Sequence, residues 1–168
     1  MTLRTALVLL GSFGAISISA AGPSFGVEDA LQEQIVSCHD LPDAVRTAFK
    51  GAHPQATIRE CAKEVEAGKT AYEISSTEGK TRRDILFRED GAIVVVEEAI
   101  TLADLPKPVQ QLVSDALTDH EIELVEKLMR DDTVSYEIQS KHAGVSLEIV
   151  VDSTGKVLKI AAAGAEAE

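Results

Sequence analysis

Tyr72-Glu73-Ile74, with Ser76 behind it, returns 64 positions later as Tyr136-Glu137-Ile138 with Ser140. In the same ungapped register Asp40, Leu41, Pro42 and Val45 fall on Asp104, Leu105, Pro106 and Val109. Ile58 and Lys63 fall on Ile122 and Lys127, Ile85 on Ile149 and Gly91 on Gly155. Twelve identities at one offset mark an internal duplication. Around the repeated triplet the apolar residues alternate. Tyr72 and Ile74 share a face, as do Ile85 and Phe87 in the next segment, while Glu73, Ser75, Arg82, Asp84 and Arg88 point the other way. A period of two is the pattern of a strand, and Gly68-Lys69, Glu78-Gly79-Lys80 and Asp90-Gly91 are hairpin connections.

Working outward, the spacing predicts four strands in the first copy, over residues 56–67, 70–77, 81–89 and 92–101. It predicts four more near 121–130, 133–141, 144–152 and 156–162. A helix precedes each set. The first has Val45, Ala48, Phe49 and Ala52 on its inner stripe, Asp40 as a cap, Pro42 in the first turn and Pro54 as its stop. Val109, Leu112, Val113, Ala116 and Leu117 make the stripe of the second. Val27, Ala30, Leu31, Ile35 and Cys38 also fall at helical spacing and predict an extra N-terminal helix. The expected fold is therefore α+β: two tandem repeats, each a helix packed on a four-stranded antiparallel meander with one core face and one wet face. The expected divisions are 1–21, a targeting segment; 22–39, a linker and the N-terminal helix; 40–101 and 102–162, the two repeats; and 163–168, a flexible tail.

The targeting segment sets the compartment. Arg4, an apolar run over residues 6–18 and then Ser19-Ala20-Ala21 have the form of a cleaved secretory leader. The run is shorter and more diluted by Gly and Ser than the roughly 20 apolar residues a membrane span needs. A periplasmic or secreted protein is expected, with no membrane contact after cleavage. In an oxidising compartment Cys38 and Cys61 are a candidate disulfide, with two buried free thiols as the other reading. Neither is duplicated; Leu102 and Val125 hold the equivalent positions.

A net charge of -12 and aromatics at 4% supply neither a phosphate-tracking face nor stacking platforms, so nucleic acid is not an expected partner. His39, His53, His120 and His142 stand opposite Ala103, Leu117, Ala56 and Glu78, so no histidine is repeated and no chelating spacing arises. His120-Glu121 begins a zinc-peptidase helix motif, but Leu124 stands where its second His belongs. There is no Gly-x-Ser-x-Gly elbow, and Glu97-Glu98 and Asp131-Asp132 read as solvated charge or turn residues. No catalytic residue, cofactor or metal ligand is assigned.

Leu41-Pro42 opening a helix, Pro54 closing it, Ile58 and Lys63 on the first strand, Tyr72-Glu73-Ile74 on the second and Asp90-Gly91 before the last together resemble the PepSY-like domains of exported bacterial proteins. That group is likened to the beta-lactamase inhibitory protein. The second copy matches through Leu105-Pro106, Ile122, Lys127, Tyr136-Glu137-Ile138 and Gly155, but has Thr118-Asp119 after its helix in place of a proline, and Thr154 in place of Asp90. The resemblance implies an extracytoplasmic, non-enzymatic protein whose two units form a curved sheet backed by helices. Related domains are linked to inhibition of secreted hydrolases and occur in propeptides of thermolysin-type peptidases. The expected partner is an extracytoplasmic protein docked on the wet sheet face. Its candidate residues are Glu73, Ser75, Arg82, Asp84, Leu86, Arg88, Glu137, Gln139, Glu148 and Val150. Glu73 and Glu137 are expected to pair with Arg82, Arg88 or Lys63 across strands, and Lys80, Arg82, Arg83 and Arg88 form a basic patch in one copy. The alternative is a cell-envelope sensor of a small ligand or metal ion, suggested by the acidic balance.

Overall fold

The computed structural model describes residues 32–66 and 68–163. The targeting segment therefore lies outside the described residues. Nine strands run in chain order through one antiparallel sheet: β1 (Gln32–Ile35), β2 (Thr57–Glu66), β3 (Lys69–Glu78), β4 (Thr81–Arg88), β5 (Ile93–Ala99), β6 (Glu121–Arg130), β7 (Thr133–His142), β8 (Val145–Asp152) and β9 (Val157–Ala163). Helix α1 (Asp43–Ala52) stands between β1 and β2, and α2 (Lys107–Ala116) between β5 and β6. The two meanders are not separate sheets. β5 pairs with β6 from Val96↔Met129 to Ala99↔Glu126, closing one continuous layer.

Both helices pack on the same side, each over its own core. Leu41, Val45 and Phe49 meet Cys61, Ile74, Ile85 and Phe87 under α1. Leu105, Val109, Val113 and Leu117 meet Val125, Ile138, Ile149 and Val151 under α2. The repeated Tyr-Glu-Ile triplet thus places its isoleucines, Ile74 and Ile138, at the centres of two equivalent cores. Bulges recur as well: the register shifts between Ile58 and Glu60 and between Ile122 and Leu124, and again between Leu86 and Phe87 and between Val150 and Val151. Each extra residue re-aims the side chains beyond it.

The turn glycines are fixed by the helices. Gly91 has φ +83 and a Cβ there would stand 2.7 Å from the Ala44 carbonyl oxygen; Gly155 has φ +84 and its Cβ would meet the Pro108 carbonyl oxygen at 3.2 Å. The left-handed backbone strains a side chain at either position, and at Gly91 the close approach excludes one as well. The replacements in the second copy preserve this geometry. Asp152 Oδ1 accepts from the Thr154 and Lys156 N–H groups, as Asp90 Oδ1 accepts from the Ala92 N–H. Without a proline, α2 still ends after ten residues, where Leu117 is buried and the Thr118 hydroxyl donates to the Ser114 carbonyl.

Two local expectations are corrected. Asp40 does not cap α1: Pro42 occupies the N-cap, and no side-chain hydrogen bond caps that end. The expected N-terminal helix is overturned at Gln32–Ile35, which form strand β1 against β2, and its earlier part lies outside the described residues. The reason is the edge of β2, whose outward N–H and C=O groups need partners. Four ladder pairs from Gln32↔Val65 to Ile35↔Ala62, followed by the Val36 N–H donating to the Cys61 carbonyl, satisfy more of that edge than an isolated helix would. Cys38 and Cys61 are joined in a disulfide, with Cα atoms 5.3 Å apart, and Cys61 is buried in the first core.

Candidate binding face

The side of the sheet away from the helices carries every residue of the expected binding face, but it is not wet. Ser75, Asp84, Leu86, Glu137, Glu148 and Val150 are buried, Glu73, Arg82 and Gln139 are half-buried, and Arg88 alone of that set is exposed. The strand period assigned the side correctly. What it missed is a second apolar cluster there, Ala71, Leu86, Val95 and Leu128 with Val94 at its margin, around which the polar side chains crowd.

Cross-strand register assembles the charges. Asp84 of β4 lies opposite Glu97 of β5, Glu126 of β6 lies between Ala99 and Glu137, and Glu148 of β8 lies opposite Gln139 of β7. Glu73 of β3 and Glu64 of β2 bring the carboxylates named on this face to seven, of which Glu64, Glu126, Glu137 and Glu148 are each under 5% exposed. Arg82 and Lys159 are the cations set among them. Arg82 Nη2 stands 2.8 Å from Glu126 Oε1 and its Nε 3.9 Å from Asp84 Oδ2, while Lys159 Nζ stands 3.3 Å from Glu148 Oε1. Neutral donors contribute too: Gln139 Nε2 donates to Glu137 Oε1 at 2.8 Å, and Ser75 Oγ to Glu73 Oε1 at 3.3 Å.

Burial, and then the negative charge of Glu126, Glu137, Glu73 and Asp84, pushes the Glu97 carboxyl up to about 9. Glu137 is pushed up to about 7, again chiefly by burial, with Glu148 and Glu126 raising it further and the Gln139 amide and the Lys159 ammonium opposing. Glu97 was read as solvated charge, and this is a correction. Its neighbour Glu98 turns to the other side and pairs with Arg83 at 2.6 Å. The sequence signal that could have found Glu97, Glu126 and Lys159 is the alternation itself, carried through β5, β6 and β9 once the hairpin registers are set.

The three arginines of the expected basic patch are each drawn into pairs, and Lys80 is exposed in the hairpin. Arg82 and Arg83 point to opposite sides, Arg83 bonding Glu78 and Glu98, while Arg88 lies 3.9 Å from Asp90. Lys63 stands opposite Tyr72 on the helix side, away from Glu73. The fold also brings two histidines together that the sequence kept apart. The rings of His120 and His142 stack at 5.0 Å, with Nδ1 atoms against the Ser140 hydroxyl and the Asp119 carbonyl. Among the described residues no group of three His, Cys, Asp or Glu side chains is arranged to hold a metal ion, and no helix is long and apolar enough to cross a membrane.

The family described as "Putative beta-lactamase-inhibitor-like, PepSY-like" matches residues 28–95 and 77–159. The matched segments overlap across β4. Among solved structures the chain is similar to one described as "putative periplasmic proteins" from Bacteroides eggerthii, at 19% identity over 73% of this chain and 88% of that one, with a TM-score of 0.64. It is similar also to a BLIP-like protein from Bacteroides fragilis, at 15% identity over 73% and 86% of the two chains, with a TM-score of 0.59. At these identities the likeness is one of fold. No curated protein matches the chain.

Proposed function

Since the chain belongs to the PepSY-like, beta-lactamase-inhibitor-like family, we propose that it is an exported, non-enzymatic protein-binding module of the periplasm or extracellular space. It inhibits or modulates a secreted or periplasmic hydrolase. The observation that carries this reading is a broad sheet face, left uncovered by both helices, on which carboxylates outnumber cations. The buried members Asp84 and Glu148 lie too deep to touch a partner and set the electric field of the face. Contact falls to the accessible rim, Arg88, Glu73, Arg82 and Gln139. A partner with a few basic anchors inside a polar border fits such a field.

The experiment pairs inhibition with capture. Purified extracytoplasmic beta-lactamases and thermolysin-type peptidases are assayed against the mature chain, and the same chain is used as bait on an extracytoplasmic fraction. One inhibited hydrolase, retained stoichiometrically and released by Glu73→Lys with Gln139→Lys, supports the reading. Inhibition of none and retention of none sinks it, and capture unaffected by the double variant moves the interface elsewhere. The excess of carboxylates favours a second reading, cation sensing in the cell envelope. A thermal shift at millimolar calcium would favour that role; a flat titration would remove it.

A further inference from the structure

The join between the two halves is the β5–β6 pairing, and it runs through the densest part of the carboxylate face. Glu97 on β5 faces Asp84 on β4 and Leu128 on β6. One ladder step away, Glu126 on β6 faces Glu137 on β7, two acids directly opposed. Glu148 of β8 lies diagonal to Glu137, beside Gln139, and Glu73 of β3 acts on Glu97 from across β4. Arg82 of β4 is bound to Glu126 and Asp84, and Lys159 of β9 to Glu148, while Arg130 of β6, two residues beyond Leu128, and Arg88 of β4 lie further along the same side. Six acids on β3 to β8 thus surround Arg82 and Lys159, and neither of these two bonds Glu97 or Glu137. Like charges directly opposite on a sheet destabilise it, and withdrawal from water strengthens the effect.

We propose that this join is a proton-dependent latch: Glu97 and Glu137 hold β5, β6 and β7 together while protonated, and their ionisation loosens the contact between the two halves. The raised affinities for protons support the sign. The Glu97 carboxyl titrates near 9 and Glu137 near 7 in the folded chain, against an ordinary value of 4.5. Between 4.5 and those values the folded state binds more protons than the unfolded state. Stability therefore falls as pH rises through that window and levels off above it. In an exported protein the latch senses the pH of the surroundings directly.

Hydrogen exchange on the mature chain tests this, read as the ratio of wild-type to Glu97→Gln rates so that the intrinsic pH dependence of exchange cancels. At about pH 4, below the ordinary carboxyl value, the ratio is expected near one; at about pH 9.5 the amides of β5 to β7 are expected to exchange more than tenfold faster in wild type. Glu98→Gln, on the opposite side of the same strand, is expected to give one ratio at both pH values. If Glu97→Gln does not fold, Glu137→Gln replaces it, its ratio rising between about pH 4.5 and about pH 7 and levelling off above. A ratio for both variants that ignores pH overturns the latch, and so does a pH effect spread evenly over all nine strands.

Discussion

The two halves of the molecule agree on one side of the sheet and disagree on the other. Under the helices the copies match position by position, with Ile74 and Ile138, Ile85 and Ile149, and Val45 and Val109 in corresponding places. On the far side only part of the pattern is repeated. Glu73 and Asp84 recur as Glu137 and Glu148, but Glu64, Val95 and Glu97 stand where the second copy has Leu128, Lys159 and Ala161. Glu126 stands where the first copy has Ala62, and its partner Arg82 where the second has Ser146. The Arg82–Glu126 pair therefore crosses between halves and has no twin. Packing holds the helix side to one solution twice, whereas the far side has been divided between the copies, each supplying what the other lacks.

The largest test of that contrast is to truncate the twins. Ile74→Ala and Ile138→Ala are each expected to cost about 3 to 4 kcal/mol in denaturant unfolding, and by similar amounts, since both side chains are fully buried in equivalent cores. A markedly cheaper loss at Ile138 would mean that the second core is looser. Next comes the disulfide, which exists in the first half alone. Replacing both cysteines by serine removes a cross-link of sequence separation 23 and is expected to cost about 3 kcal/mol. The cost should be felt as faster exchange in β1 and β2 before any other strand.

Arg82→Ala and Arg83→Ala compare the two sides of one strand. Loss of Arg82 removes a charged partner from the buried Glu126 carboxylate and is expected to cost about 2 kcal/mol, whereas loss of Arg83, from pairs nearer solvent, costs about 0.5 to 1. Equal costs would deny the far side its buried character. The smallest effect concerns acid. Asp104 is held below its ordinary range by hydrogen bonds from the Thr101 hydroxyl and N–H, and Asp152 chiefly by the Thr154 hydroxyl. Their contribution is present above the ordinary carboxylate value and lost as pH falls through the lowered one. A small drop in melting temperature below about pH 4, halved by Asp152→Asn, is expected in calorimetry.

Much of the fold was legible because repetition samples the same physics twice. Strand edges, hairpin turns and both helix stripes followed from periods of two and of 3.6 residues, and Pro42 and Pro54 bounded α1 through their own backbone limits. Gln32–Ile35 misread because the stripe from Val27 to Cys38 is short, and the open edge of β2, which decides the matter, is visible only once the sheet exists. The site was legible in part. Alternation named the correct side for Glu73, Asp84, Glu137 and Glu148. It could not say that Leu86, Val95 and Leu128 would close that side off, because their meeting depends on register across three hairpins and the β5–β6 join. Glu97 was lost for the same reason: its neighbour in the chain is harmless, and its neighbours in space come from β3, β4, β6 and β7.

The sheet order β1 to β9 follows the chain without a single crossover. Every ladder is consequently closed by the segment that comes next, and the first half asks nothing of the second to complete its own pairing. Loop-closure entropy is small at each step, with the excursions through α1 and α2 as the two longer ones. A chain delivered N-terminus first across a membrane can thus zip up as it emerges, joining Cys38 to Cys61 before the second half has arrived. The meeting of β5 with β6, where the acids gather, is the step that joins the two halves, so it is expected to be opposed electrostatically and to quicken in mild acid.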